Sequence, residues 1–278
     1  MPVSERLLIA PQIIIDSLND YDKVDNYSPH KLNDNEKQLF MNYFDLLPAG
    51  LQKAIVEKVI GIYFIDNFLG GGMTLQVYDN NGNMNIALFF NPEILHTNIS
   101  EWINFRDNSA FLPDDKLSVI VTCNSNYFAL IHTLFHEASH VYDFSYSITP
   151  SENQKPVIHT DFTRNIWTSV NEPIEEYNFS NRNNLSFYGF GESLDKKHAL
   201  TIYSSLANTP FSSLYGSTTC TEDFAEAFTW YCLKKNFEIN YVTQLKENDK
   251  IIFTHDPDDN ELVKSRYKTL DEILRADH

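Results

Sequence analysis

A chain of 278 residues with 42% hydrophobic and 14% aromatic residues carries enough apolar material for a packed core, and its 20 Phe and 15 Tyr exclude a disordered chain. A formal net charge of −17 without any Lys/Arg cluster argues against nucleic acid and anionic membrane as partners. Three cysteines, Cys123, Cys220 and Cys232, are too few for a disulfide scaffold and form no Cys-x-x-Cys pair.

At the start, the apolar runs Leu7–Ala10 and Ile13–Ile15 are split by Pro11 and Gln12, with Glu5 ahead of them. This does not read as a signal peptide, and the compartment stays open. No stretch approaches the ~20 apolar residues of a transmembrane segment. Residues 34–59 read as helical, with Asn33 or Asp34 capping one segment and Pro48 opening a second through Leu51, Ala54, Ile55 and Val59. Ile60–Ile65, Thr74–Tyr78 and Met84–Phe90 are rich in β-branched and aromatic residues and read as strands. Gly70-Gly71-Gly72 and Asn80-Asn81-Gly82-Asn83 punctuate them, the latter as a hairpin turn. A short helix near Ser100 and a strand at Leu117–Cys123 follow. A helix capped by Ser125 or Asn126 then runs through Leu130, Ile131, Leu134, Phe135, Ala138 and Val141, an apolar stripe at helical spacing. Residues 145–192 are irregular and rich in Asn and Ser, a length uncommon for a loop unless it is functional or disordered. Ser193 is expected to cap a helix through Ala199, Ile202 and Leu206. An extended piece from Pro210 to Gly216 leads to a helix over Thr221–Lys235. The tail after Asn236 is polar and acidic and ends in a helix, Thr269–Arg275.

On the stripe-bearing helix stands His136-Glu137-Ala138-Ser139-His140, an H-E-x-x-H. Four helical residues turn through roughly 400°, so the two imidazoles project within about 40° of each other and ~6 Å apart along the axis. Both can reach one zinc at about 2.0–2.1 Å. Glu137 points roughly 100° away, out of position for a ligand but suited to take a proton from a zinc-bound water. The competing reading is an amphipathic helix with two histidines and a surface carboxylate. His132, four residues before His136, has ligand spacing too but no Glu after it. Asp143 is either a helper that orients a neighbour or a surface charge.

A zinc hydrolase needs a third protein ligand and an open fourth position. The extension H-E-x-x-H-x-x-G-x-x-H fails here, because Asp143 and Tyr146 occupy its last two positions. The best source is Thr221-Glu222-Asp223-Phe224-Ala225-Glu226, where Glu222 and Glu226 lie one helical turn apart. One can bind the metal while the other accepts the free N–H of a ligand histidine. Read without a metal, Thr219 to Glu222 is a helix cap and Glu226 a solvated charge.

His136-Glu137-x-x-His140, taken with Tyr215-Gly216-Ser217-Thr218 and Glu222-x-x-Ala225-Glu226-Ala227-Phe228, resembles the catalytic domain of anthrax lethal factor and its gluzincin relatives, among them the clostridial secreted Pro-Pro endopeptidases. The resemblance covers roughly 130–232. It implies Glu222 as third zinc ligand, Glu226 as its support and Tyr215 as a hydroxyl aimed at the reaction centre. The chain departs from that family in length and in its Asn-rich insertion.

These readings predict an α+β fold of zincin-like type: a single metallopeptidase domain over 1–278, helical to 59, mainly strands over 60–124, then the active-site helix, long loop and C-terminal helices. One Zn2+ per chain is expected, with an extended peptide or protein as substrate. The peptide would pair with Met84–Asn91, placing Met84, Ile86 and Leu88 against it, in a cleft walled or covered by 145–192. The alternative is a catalytically inactive module of the same fold that binds a protein partner.

Overall fold

The computed structural model describes residues 1–151 and 157–275, so residues 152–156 of the expected irregular stretch lie outside the described residues. The fold is mixed α+β. Its chain divides into two compact units, Met1–Ile99 with Tyr127–Ser145 and Ser100–Asn126 with Tyr146–His278.

The first unit is built on a mixed sheet. In chain order it comprises β1 (Leu7–Leu8), α1 (Gln12–Asp22), β2 (Ser28–His30), α2 (Asp34–Phe44), α3 (Ala49–Lys58), β3 (Val59–Asp66), β4 (Gly72–Tyr78) and β5 (Met84–Phe90). The strand order is β1-β3-β5-β4, with β2 also on β3; β3 runs parallel to β1 and β5, and β5 antiparallel to β4. Side chains alternate between the faces of a strand. Ile65, Ala87 and Phe89 accordingly join a cluster with Ile15 and Leu18 of α1. Phe64 and Phe90 point the other way, against Phe40 of α2. From Ile86 to Phe90 both faces of β5 are covered, which is why this part of its sequence reads as an unbroken apolar run.

Local chemistry explains the boundaries. Asn33 and Glu36 form a reciprocal cap at the start of α2. Asp79 accepts from the backbone N–H groups of Asn81 and Asn83, and Gly82 takes the positive φ of 82° that closes the β4–β5 turn. The strand expected to receive a peptide is not an edge. From Ile86 to Phe90, β5 is paired with β3 on one side and β4 on the other. Ile86 and Leu88 are wholly buried. A backbone already bonded on both sides has no groups left for a further strand, whereas β4 ends the order.

α4 (Ile99–Ser109) leads into the second unit, and α5 (Leu130–Tyr146) lies back in the first. α5 begins at Leu130, later than Ser125 or Asn126. The intervening backbone is engaged otherwise: Ile99 N–H donates to Tyr127 O and Ala129 N–H to Thr97 O.

The second unit holds α4, an antiparallel sheet of β6 (Leu117–Cys123), β7 (Tyr241–Glu247) and β8 (Lys250–His255), and the helices α6 (Ala199–Leu206), α7 (Cys220–Phe237), α8 (Glu261–Ser265) and α9 (Tyr267–Arg275). Three expectations are corrected. Ser193 does not cap α6; its hydroxyl donates to Ser109 O, and Asp195 caps a 3-10 turn that precedes the helix. The segment before α7 is not extended but forms a 3-10 turn at Tyr215–Ser217. The polar tail contains the β7–β8 hairpin. Among the described residues no helix is long and apolar enough to cross a membrane.

Candidate metal centre

α5 carries the H-E-x-x-H, and every residue from Leu130 to Asp143 is buried, the polar ones included. A helix that buries His132, His136, Glu137, His140 and Asp143 with its apolar stripe incurs a desolvation cost unless those groups do something together.

The geometry of the pair is specific. The Nε2 atoms of His136 and His140 face each other at 3.2 Å, with ring planes at 83°. Two nitrogens bound to one tetrahedral zinc at 2.0–2.1 Å are about 3.3 Å apart. The donor spacing and type therefore fit zinc. His132 differs: its ring lies nearly parallel to that of His136, at 21° and 5.9 Å between centroids. Phe144 stacks on the His140 ring at 6.0 Å and restricts its rotation.

Glu137 turns away from the pair toward β4, as the helical angle requires. Its Oε2 accepts from Thr74 Oγ1 at 2.7 Å, and Gly72 lies against the same side chain. Thr74 was not legible as a site residue, because its partner lies 63 residues on.

In the second unit, Thr219 caps α7 by accepting from the Glu222 N–H at 3.1 Å. The capping reading and the ligand reading of this segment are thus compatible, since the cap uses the backbone of Glu222 and not its carboxylate. A carboxylate in the first helical turn is also favoured by the helix dipole. Glu222 is half-buried and Glu226 wholly buried. Glu226 is not a solvated charge: its Oε1 accepts from Arg106 Nη1 at 2.9 Å and its Oε2 from Trp230 Nε1 at 3.2 Å. Arg106, itself buried, also donates to Asp107. Burial opposes its charge, but the Glu226 and Asp107 carboxylates hold the guanidinium firmly protonated.

Tyr215 sits at the head of the 3-10 turn, its ring edge-on to Phe187 at 5.0 Å and beneath the Arg106 guanidinium at 5.2 Å. Gly216 keeps this turn close to α7: an added Cβ would come within 3.1 Å of Glu226 Cβ, a tight contact. Asp223 faces Arg266 through two bonds of 2.7 and 2.8 Å and accepts from Trp167 Nε1. Cys220, the other donor near Glu222, is fully buried.

Of the expected site residues, His136, Glu137 and His140 share one helix face and its flank in the first unit. Tyr215, Glu222 and Glu226 are set by the 3-10 turn and α7 of the second. Ile86 and Leu88 belong to the sheet interior, while Met84 is half-buried at the start of β5 and pairs with Tyr78 of β4 alone. Arg106, Arg182, Thr74 and Trp230 were missed: a lone basic, hydroxyl or indole side chain has no spacing signature. No protein-family model, curated protein or solved structure matches the chain.

Proposed function

We propose that the chain is a zinc-dependent endopeptidase. The observation that carries this reading is the 3.2 Å approach of the His136 and His140 Nε2 atoms on a buried helix, the span of two ligands on a tetrahedral metal. In this reading the third ligand is Glu222, in the first turn of α7. Glu226 is not chosen, because Arg106 and Trp230 already engage both of its oxygens.

Zinc held there supplies a Lewis acid that activates water and polarises the scissile carbonyl. Glu137 accepts the proton of the attacking water and returns it to the leaving amine. The Tyr215 hydroxyl donates to the developing oxyanion, a contribution of order 10²–10³ in rate. The extended substrate adds to β4, the strand that ends the sheet and carries the residues in contact with Glu137.

The test is elemental analysis followed by hydrolysis of a quenched fluorescent peptide pool. Wild type should hold about one zinc per chain and cleave the pool. Glu222→Ala should lose the metal, and Glu137→Gln should keep it without cleaving. A wild type that takes up no zinc when the ion is added back would sink the reading.

A further inference from the structure

β4 contributes two residues to the surroundings of Glu137, and they act in different ways. At Gly72 the strand comes so close that an added Cβ would lie 2.7 Å from both Glu137 Cγ and Oε1 and 2.9 Å from Cδ. Contacts that short are not made between real atoms, so a side chain at position 72 would push the Glu137 carboxylate out of this position. Two residues on, where the strand period returns a side chain to the same face, Thr74 presents its hydroxyl. Thr74 Oγ1 is 2.7 Å from Glu137 Oε2 and 3.2 Å from the Glu137 carbonyl oxygen. A hydroxyl has one proton. The shorter, charge-assisted bond is the one made to the carboxylate.

The two contacts fix the carboxylate from both ends. Oε2 is tethered by the Thr74 proton, and Oε1 lies over the bare Cα of Gly72. A Glu side chain has three rotatable bonds, and a base left to sample them would spend little time aligned with its proton donor. We propose that Thr74 is the positioning residue for Glu137, orienting the carboxylate for proton transfer, with Gly72 providing the room. This rests on the reading of Glu137 as general base. It adds that the strand offered to the peptide and the strand that aims the base are one and the same, so a substrate bound on β4 is held in register with the proton acceptor.

Thr74→Val removes the donor with little change in shape, and Thr74→Ser keeps it. The experiment combines crystal structures of wild type and both variants, zinc content, and kcat and KM for a peptide selected from the quenched pool. All three proteins should hold the same zinc. Thr74→Val should lose roughly 10- to 100-fold in kcat with KM little changed, and its Glu137 carboxylate should leave its wild-type position. Thr74→Ser should restore both. Thr74→Ala carries the same test should the valine variant not fold. An unmoved Glu137 in the valine variant, or wild-type kcat despite the lost donor, overturns the proposal. A Glu137→Gln enzyme as active as wild type would instead overturn the general-base reading. The crystallographic comparison still decides the positioning if the wild type cleaves no peptide at all.

Discussion

Arg182 Nη1 donates to the carbonyl oxygen of Ser217 at 2.9 Å and to that of Thr218 at 3.0 Å, so one side chain of the irregular Asn-rich stretch pins the backbone between Tyr215 and Glu222. Nη2 donates to Asn171 O at 2.7 Å and Nε to Asn178 Oδ1 at 3.0 Å, while Trp167 lies under the guanidinium. A planar fork with five donors can hold this many acceptors at once; an ammonium cannot. Arg182→Lys should therefore destabilise the protein by about 2–4 kcal/mol in urea unfolding. It should also lower kcat on the selected peptide, because the turn that bears Tyr215 loosens. A loss below about 0.5 kcal/mol would mean that the strap is not needed.

Much of the frame was legible because its signals are local. The apolar run of β5, the cap at Asn33, the Asn-Gly turn and the stripe of α5 each lie within a few residues of one another. The hairpin of β7 and β8 was not. Its two-residue loop is Asn248-Asp249, both at positive φ of 48° and 64°, a turn usually announced by Asn-Gly. β7 does alternate, with Tyr241, Thr243 and Leu245 buried, but a buried Thr weakens the apolar signal. α1 was obscured by Pro11, which occupies its N-cap position. The charged interior was illegible for a different reason. Arg106 and Glu226 are separated by 120 residues and Asp223 and Arg266 by 43, and no sequence period connects such partners. The H-E-x-x-H was readable because a helix sets two donors at one spacing, whereas the carboxylate that would complete the set comes from a distant segment.

The Arg106–Glu226 pair is the most consequential of these buried charges. With Arg106 only 1% and Glu226 0% exposed, removing the cation leaves the Glu226 and Asp107 carboxylates in the interior without it. Arg106→Met should cost about 3–5 kcal/mol at pH 7. The pH dependence has a definite sign. Burial already raises the Asp107 carboxyl above its usual range against the opposing pull of Arg106, and removing Arg106 raises it further. An acid with a raised folded pKa costs stability only where the unfolded chain is ionised, above about pH 4. The deficit of Arg106→Met relative to wild type should thus shrink as pH falls from 7 toward 4. Urea unfolding of both proteins across that range would show it. A deficit that stays constant would mean that lost packing, not charge, dominates.

His255, the last residue of β8, gives a pH dependence of opposite direction. It is 3% exposed, and burial depresses its imidazole from 6.5 to about 4. The folded protein therefore excludes a proton that the unfolded chain binds between pH 6.5 and about 4. Stability is complete above the unfolded value and is lost progressively as pH falls through this window. A shift of this size corresponds to about 3 kcal/mol when each unit counts 1.36 kcal/mol. His255→Leu keeps an apolar side chain in the site and cannot titrate. Between pH 7 and pH 4, wild type should lose about 3 kcal/mol more than the variant in urea unfolding, and the two curves should converge above neutrality apart from a constant offset. Parallel curves across the whole window would mean that His255 becomes protonated inside the fold and that β8 opens to water at its end.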